Sequence, residues 1–347
     1  MKRITLTRAQ RAELFFETAN RRGLSPVVAE KDYWVCAALT ALFSAPQPIE
    51  LIFKGGTSLS KCYSLIERFS EDVDLAFDRA GLGFIDERDP EGSGLSNNKR
   101  RALIEELSEA AVDYVAGAFR DDTVGRLTAL LPDEPWSLTV ASDDSQTLLF
   151  AYPPSFEQET YGTADYIHPV VRLELGARSD QTPSELLMAT AFATEEFGPE
   201  LSHLDTIQVP SLAAGRTFWE KATLLHAENY RDQPFFPARS RSRHLYDLVQ
   251  LTESDHGQAA MADMALRDRV VQHKTLFFAS AQARYDLFAP PSIQLLPKDR
   301  EALARLRSDY VDMAVMFFGD PPPFESLVDK LQKLEERLNT ALHPSAS

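Results

Sequence analysis

Cysteine is almost missing from this chain: 347 residues hold two, Cys36 and Cys62, with neither a C-x-x-C spacing nor a histidine cluster beside them. That argues against a disulfide-stapled scaffold and a zinc site, and it sets the expectation of a reducing, cytoplasmic compartment. Long apolar runs are missing too. No stretch approaches the 18 or more residues of a membrane span, and no basic segment followed by an apolar run opens the chain, so no membrane partner is expected. Positive charge is scarce: 36 Lys and Arg face 52 Asp and Glu, a net charge of −16 at pH 7. Phosphate neutralisation supplies most non-specific nucleic-acid affinity, so such a substrate must meet a local basic patch here, or the substrate is small. The acidity also serves solubility. No internal repeat recurs at a fixed period, which excludes a solenoid.

What is present is a globular composition, 44% hydrophobic and 25% charged, over a length suited to two domains. The most informative stretch is residues 49–77, IELIFKGGTSLSKCYSLIERFSEDVDLAF. Ile49, Leu51 and Phe53 alternate with Glu50, Ile52 and Lys54, the period of a strand with one buried face. Gly55-Gly56 turns the chain, and Thr57 or Ser58 is placed to cap a following helix. Free N–H groups at a helix start attract anions, although most such turns only join elements. In the second strand, Asp72 to Phe77, Asp72 and Asp74 project from one face. A bare D-x-D is compatible with a solvated strand face. It also supplies the hard oxygen ligands that Mg²⁺ takes while it holds substrate phosphates.

The rest of the chain reads as follows. Residues 1–43 suggest two helices, one started by Thr5 or Thr7 and ended by Gly23, the other following Ser25-Pro26 and carrying the charged cluster Glu30-Lys31-Asp32. That cluster reads as an exposed face with an internal ion pair, or as part of a site. Residues 78–98 form a long glycine-rich loop, conceivable as a lid. A helix over 99–119 and short strands at 136–140 and 147–152 come next. In Val170 to Ala177, Arg172 and Glu174 share the face opposite Val171, Leu173 and Leu175, which makes Glu174 a candidate third carboxylate or an ordinary outward residue. A strand is possible at 206–209, and the domain boundary is expected near Pro210, giving domains 1–210 and 211–347. In the helical second part, Lys221 lies on the apolar side of its helix with Phe218, Leu224 and Leu225. It either snorkels at a core edge or meets phosphate charge. Arg243 and Asp247, four apart, share a stripe, and Asp247 is expected to pair with Arg243 or Lys221. Arg239, Arg241, Arg243 and His244 form the clearest basic cluster, suited to a triphosphate or an RNA backbone, or to surface ion pairs. Further helices are expected over 257–283, 299–316 and 325–342.

The run KGGTSLSKCYSLIERFSEDVDL, residues 54–75, resembles the nucleotidyltransferase signature of the DNA polymerase β superfamily. More narrowly it resembles the AbiEii-type toxins of type IV toxin–antitoxin systems, with which the mycobacterial MenT toxins are grouped. The resemblance implies an α+β (mixed α/β) fold, a nucleotidyltransferase sheet with flanking helices followed by a helical domain. It implies Mg²⁺, with Mn²⁺ as a substitute, held by Asp72, Asp74 and Glu174, the last serving as ligand or as base. Lys54, Gly55, Gly56, Thr57, Ser58, Ser70, Arg241 and Arg243 would bind a nucleoside triphosphate, with Lys221 and Asp247 joining the catalytic set. Clusters like Glu30-Lys31-Asp32 recur in such chains and would frame the site, while His244 stands where an aspartate is common. The implied activity is nucleotide transfer to the 3′ end of tRNA, which stops translation and growth until a separately encoded antitoxin counters it. Rival readings are transfer to a small molecule of the aminoglycoside kind, transfer to a protein, and a non-catalytic nucleotide-binding module.

Overall fold

Alternating apolar residues build one mixed sheet, and an almost wholly apolar helix covers it. The computed structural model describes residues 3–70, 72–132, 134–161, 168–236 and 241–340; Arg239 and the tail after His343 lie outside them. The chain divides into two units, Met1–Ser64 with Phe69–Leu212, and Leu65–Arg68 with Ala213–Ser347.

In the first unit, α1 (Arg8–Arg22) opens with a Thr7–Gln10 capping box and ends at Gly23, whose φ of 66° suits glycine. The second helix, α2 (Pro26–Phe43), is buried from Val27 to Leu42. A helix apolar on all sides belongs inside a core, and α2 packs on the sheet with Trp34 stacked on Tyr152 at 5.3 Å between ring centres. Then come β1 (Leu51–Lys54), α3 (Gly55–Lys61), β2 (Asp72–Phe77), α4 (Asn97–Tyr114), α5 (Arg120–Leu130), β3 (Ser137–Val140), β4 (Thr147–Ala151), β5 (Val170–Gly176), β6 (Ser184–Ala189), α6 (Phe192–Ser202) and β7 (Ile207–Leu212). The strand order is β3-β4-β5-β2-β1-β7-β6, with β2 parallel to β5 and β1 parallel to β7, the other pairs antiparallel.

Several expectations need correction. The helix after the glycine turn begins at Gly55 itself, so neither Thr57 nor Ser58 caps it. It is only seven residues long, and the chain from 62 to 71 is not helical among the described residues. β6 and α6 lie between Ser179 and Ser211, a polar, acidic, proline-punctuated stretch whose sequence suggests no element before the strand at 206–209. The loop after β2 is not wholly irregular: it carries short 3-10 helices at Arg79–Leu82 and Asp86–Arg88 and ion pairs within itself, Arg79 with Asp89 at 3.3 Å and with Glu91 at 3.1 Å.

The second unit is helical: α7 (Ala214–Asn229), α8 (Ser242–Glu253), α9 (Asp255–Ala262), α10 (Met264–Phe277), α11 (Arg300–Asp312) and α12 (Phe324–Thr340). Residues 257–283 are not one helix, because the chain leaves helical geometry at Asp263, which instead caps α10 through Leu266 N–H. α8 buries Leu245, Leu248 and Val249 and packs on α7, α9, α11 and α12. The four residues 65–68 join this unit: Glu67 N–H donates to Tyr246 Oη at 3.1 Å, and Phe318 N–H donates to the Glu67 carbonyl at 3.0 Å.

Candidate active site

In β2, Val73 and Leu75 face the core while Asp72 and Asp74 are half-buried on the opposite face. β5 repeats the pattern, with Val171, Leu173 and Leu175 inward and Arg172 and Glu174 on the other side. Register then brings the polar residues together. Asp72 stands beside Arg172 and Asp74 beside Glu174, while Lys54 of β1 flanks Asp74 from the other edge. Neighbouring strands run about 4.8 Å apart, so Lys54, Asp74 and Glu174 form a row across the sheet. Glu174 is engaged by Arg172, Nε to Oε1 at 3.4 Å, and Arg172 also reaches Asp143 at 3.3 Å.

The glycine turn is fitted against this row. Gly55 has φ of 78°, and a Cβ there would lie 1.9 Å from Asp74 Oδ2, so only glycine leaves room for the carboxylate. Thr57 donates its hydroxyl to the Asp72 carbonyl, and Ser58 Oγ donates to the Gly55 carbonyl at 3.1 Å. The Thr57 hydroxyl thus ties the turn to the strand, while that of Ser58 closes the first turn of α3 on itself. Gly56, Thr57, Ser58 and Ser70 are buried. We expect Gly55→Ala to displace the Asp74 side chain and to lower Mn²⁺ affinity by about 10-fold or more, measured by electron paramagnetic resonance titration. Wild-type affinity in a folded Gly55→Ala protein would show that the close approach is unimportant.

Among the described residues, no group of three or more His, Cys, Asp or Glu side chains is placed to hold a metal ion. The donors present fit Mg²⁺ in another way. That ion binds through one or two carboxylates and completes its shell with water and substrate phosphate, and the Asp72/Asp74 pair beside a side-chain-free Gly55 offers this.

Glu30, Lys31 and Asp32 are all buried, which removes the exposed-face reading. Glu30 accepts from Ser155 N–H at 2.7 Å and Tyr161 Oη at 2.5 Å, and Lys31 Nζ donates to the His168 carbonyl at 3.2 Å. Asp32 pairs with Lys61, the last residue of α3. Burial opposes the Lys61 charge, but Asp32 outweighs it and raises the pKa of the ammonium.

The other expected residues belong to the second unit. Lys221 Nζ donates to Asp247 Oδ2 at 2.7 Å. The second cation on this carboxylate is Arg68, Nε to Oδ1 and Nη2 to Oδ2 both at 2.7 Å, with Asp247 fully buried. Nothing in the sequence pointed to Arg68, 179 residues from its partner. Burial would raise the Asp247 pKa, but Arg68 and Lys221 outweigh it and hold the carboxyl well below the usual range. Burial lowers the Lys221 pKa; Asp247 opposes that, and Arg68 and Arg243 add to it. The His244 pKa is likewise pushed well down by burial and by Lys221 and Arg243, and its Nδ1 lacks a hydrogen-bond partner among the described residues. Arg241 is turned to Glu228 at 3.7 Å.

The family described as nucleotidyl transferase AbiEii toxin, type IV toxin–antitoxin system, matches residues 37–333. Among solved structures the chain is similar to MenT4, a nucleotidyltransferase toxin from Mycobacterium tuberculosis H37Rv. The identity is 18%, the match covers 98% of this chain and 100% of that one, and the TM-score is 0.44. No curated protein matches. No helix among the described residues is long and apolar enough to cross a membrane.

Proposed function

Because the chain belongs to the AbiEii family of nucleotidyltransferase toxins of type IV toxin–antitoxin systems, whose substrate is a nucleoside triphosphate, we propose that Asp72 and Asp74 hold Mg²⁺ and that the acceptor is the 3′ end of tRNA. In the reaction an acceptor hydroxyl attacks the α-phosphate and pyrophosphate leaves. The observation that carries the assignment is the acidic row itself: Asp72 and Asp74 on one strand face, Glu174 in register, and the Gly55 backbone against Asp74. Bound Mg²⁺ would supply positive charge to the phosphate oxygens. Glu174 is assigned to take the proton of the attacking hydroxyl, Lys54 to phosphate charge, and the Gly55–Ser58 backbone and Ser70 to phosphate contact. The second unit offers an anion-binding cluster of its own, in which Lys221 and Arg243 outnumber the charge of Asp247 that Arg68 already shares. Growth arrest would follow from tRNA that can no longer be charged, and a separate antitoxin would relieve it.

The test is incubation of the protein with Mg²⁺ and each α-labelled triphosphate in turn, offering tRNA, tRNA-depleted RNA, an aminoglycoside or protein alone. Label is expected on tRNA, and periodate oxidation of its 3′ end beforehand should abolish the labelling. Label on the small molecule or on protein would overturn the acceptor, and nucleotide binding without pyrophosphate release would overturn the chemistry.

A further inference from the structure

Lys61 and Asp32 are buried and charged, yet the chemistry proposed above uses neither. Lys61 Nζ pairs with Asp32 Oδ1, donates to the Thr190 carbonyl at 3.0 Å and stands 3.6 Å from the centre of the Phe192 ring. Asp32 also accepts from Phe192 N–H at 2.7 Å. One ion pair therefore joins the middle of α2, the last residue of α3 and the first residue of α6. A buried pair is often no more stabilising than apolar side chains of the same volume, so its effect is to be sought in geometry.

The geometry is specific. A seven-residue helix is too short to hold itself in place and takes its position from its anchors. At one end of α3 the Gly55 backbone packs on the Asp74 carboxylate, and Thr57 is bonded to the Asp72 carbonyl. Lys61 is the anchor at the other end, about 9 Å along the axis at 1.5 Å per residue. Displacing that end tilts the helix, and the Gly55 contact is too close to absorb a tilt without moving Asp74.

We propose that Lys61, held by Asp32, is a positioning residue for the Asp72/Asp74 pair: it seats α3 so that the Gly55 backbone fixes the Asp74 carboxylate. This rests on the reading that those two aspartates serve nucleotide transfer. The test compares wild type with Lys61→Arg and with the double variant Asp32→Asn/Lys61→Met, which leaves no buried charge unpaired and keeps an acceptor for Phe192 N–H. Hydrogen exchange over residues 55–61, Mn²⁺ binding, thermal midpoint, and kcat and KM for the triphosphate are measured on each. In the double variant, exchange protection over 55–61 is expected to fall while the strands of the sheet keep theirs. Mn²⁺ affinity and kcat should drop by about 10- to 100-fold, as for other residues that orient metal ligands, with KM moving less. Lys61→Arg should recover most of each. Unchanged protection over 55–61 with wild-type Mn²⁺ affinity would overturn the proposal, as would protection lost evenly across the whole sheet. If wild type transfers no nucleotide, the functional reading fails, while exchange and Mn²⁺ binding still decide whether Lys61 seats the helix.

Discussion

Asp72→Ala is expected to reduce nucleotide transfer by about 10³-fold or more, since losing several kcal/mol of charge stabilisation removes a factor of ten for each 1.4 kcal/mol. The fold should survive. Asp72 is half-buried on the polar face of β2, while Val73 and Leu75, both fully buried, carry the strand's packing. Asp72→Asn separates charge from shape: it keeps the volume and loses the anion, and it should be nearly as inactive. Circular dichroism and thermal midpoints close to wild type, with label incorporation at background, are the anticipated pair of results. Mg²⁺-dependent transfer retained by Asp72→Ala would contradict the assignment of that strand face.

Asp247→Ala is expected to have the largest effect on stability. The carboxylate is fully buried and accepts from Arg68 and Lys221 at 2.7 Å each, so its removal takes the shared counter-charge away from two buried cations. Breaking a buried pair on one side costs about 3–5 kcal/mol. Chemical denaturation should show this loss, whereas Glu325→Ala should change stability by less than about 1 kcal/mol although its ion pair with Arg307 spans only 2.6 Å, because both side chains are exposed. The pH dependence has a definite sign. The folded-state pKa of Asp247 lies below the unfolded value of about 3.9. Its contribution is therefore fully present above that value and is lost as pH falls through the folded pKa. Between pH 5 and 8 this group adds no slope. Equal stability of wild type and Asp247→Ala at neutral pH would show that the triad is not holding the helices.

Much of the sheet was legible because strand alternation is a local signal. Asp72 and Asp74, like Arg172 and Glu174, are two apart among strongly apolar neighbours, and that spacing alone puts each pair on one face. Lys221 could be singled out because a charge on the apolar stripe of a helix is conspicuous, and Asp247 because it stands four residues after Arg243. The partners of such charges were not legible. Arg68 sits in ERFSED with no periodic pattern around it, and nothing in the sequence marked Lys61, while their carboxylates lie 179 and 29 residues away. β6 was hidden for a different reason: on this edge strand Leu186 and Met188 are exposed, so its alternation does not mark a core. The start of α3 was missed because glycine is a poor helix former, and the reason for it at position 55 is a carboxylate from another strand.

The four residues from Leu65 to Arg68 have a consequence for how this gene could be rearranged. A break placed after codon 212 looks natural, yet the downstream polypeptide would lack the guanidinium that grips Asp247 and the short tether that Tyr246 and Phe318 hold. A polypeptide begun at Ala213 would therefore be a helical bundle with a hole in its charge balance, and a usable fragment has to bring the 65–68 segment with it.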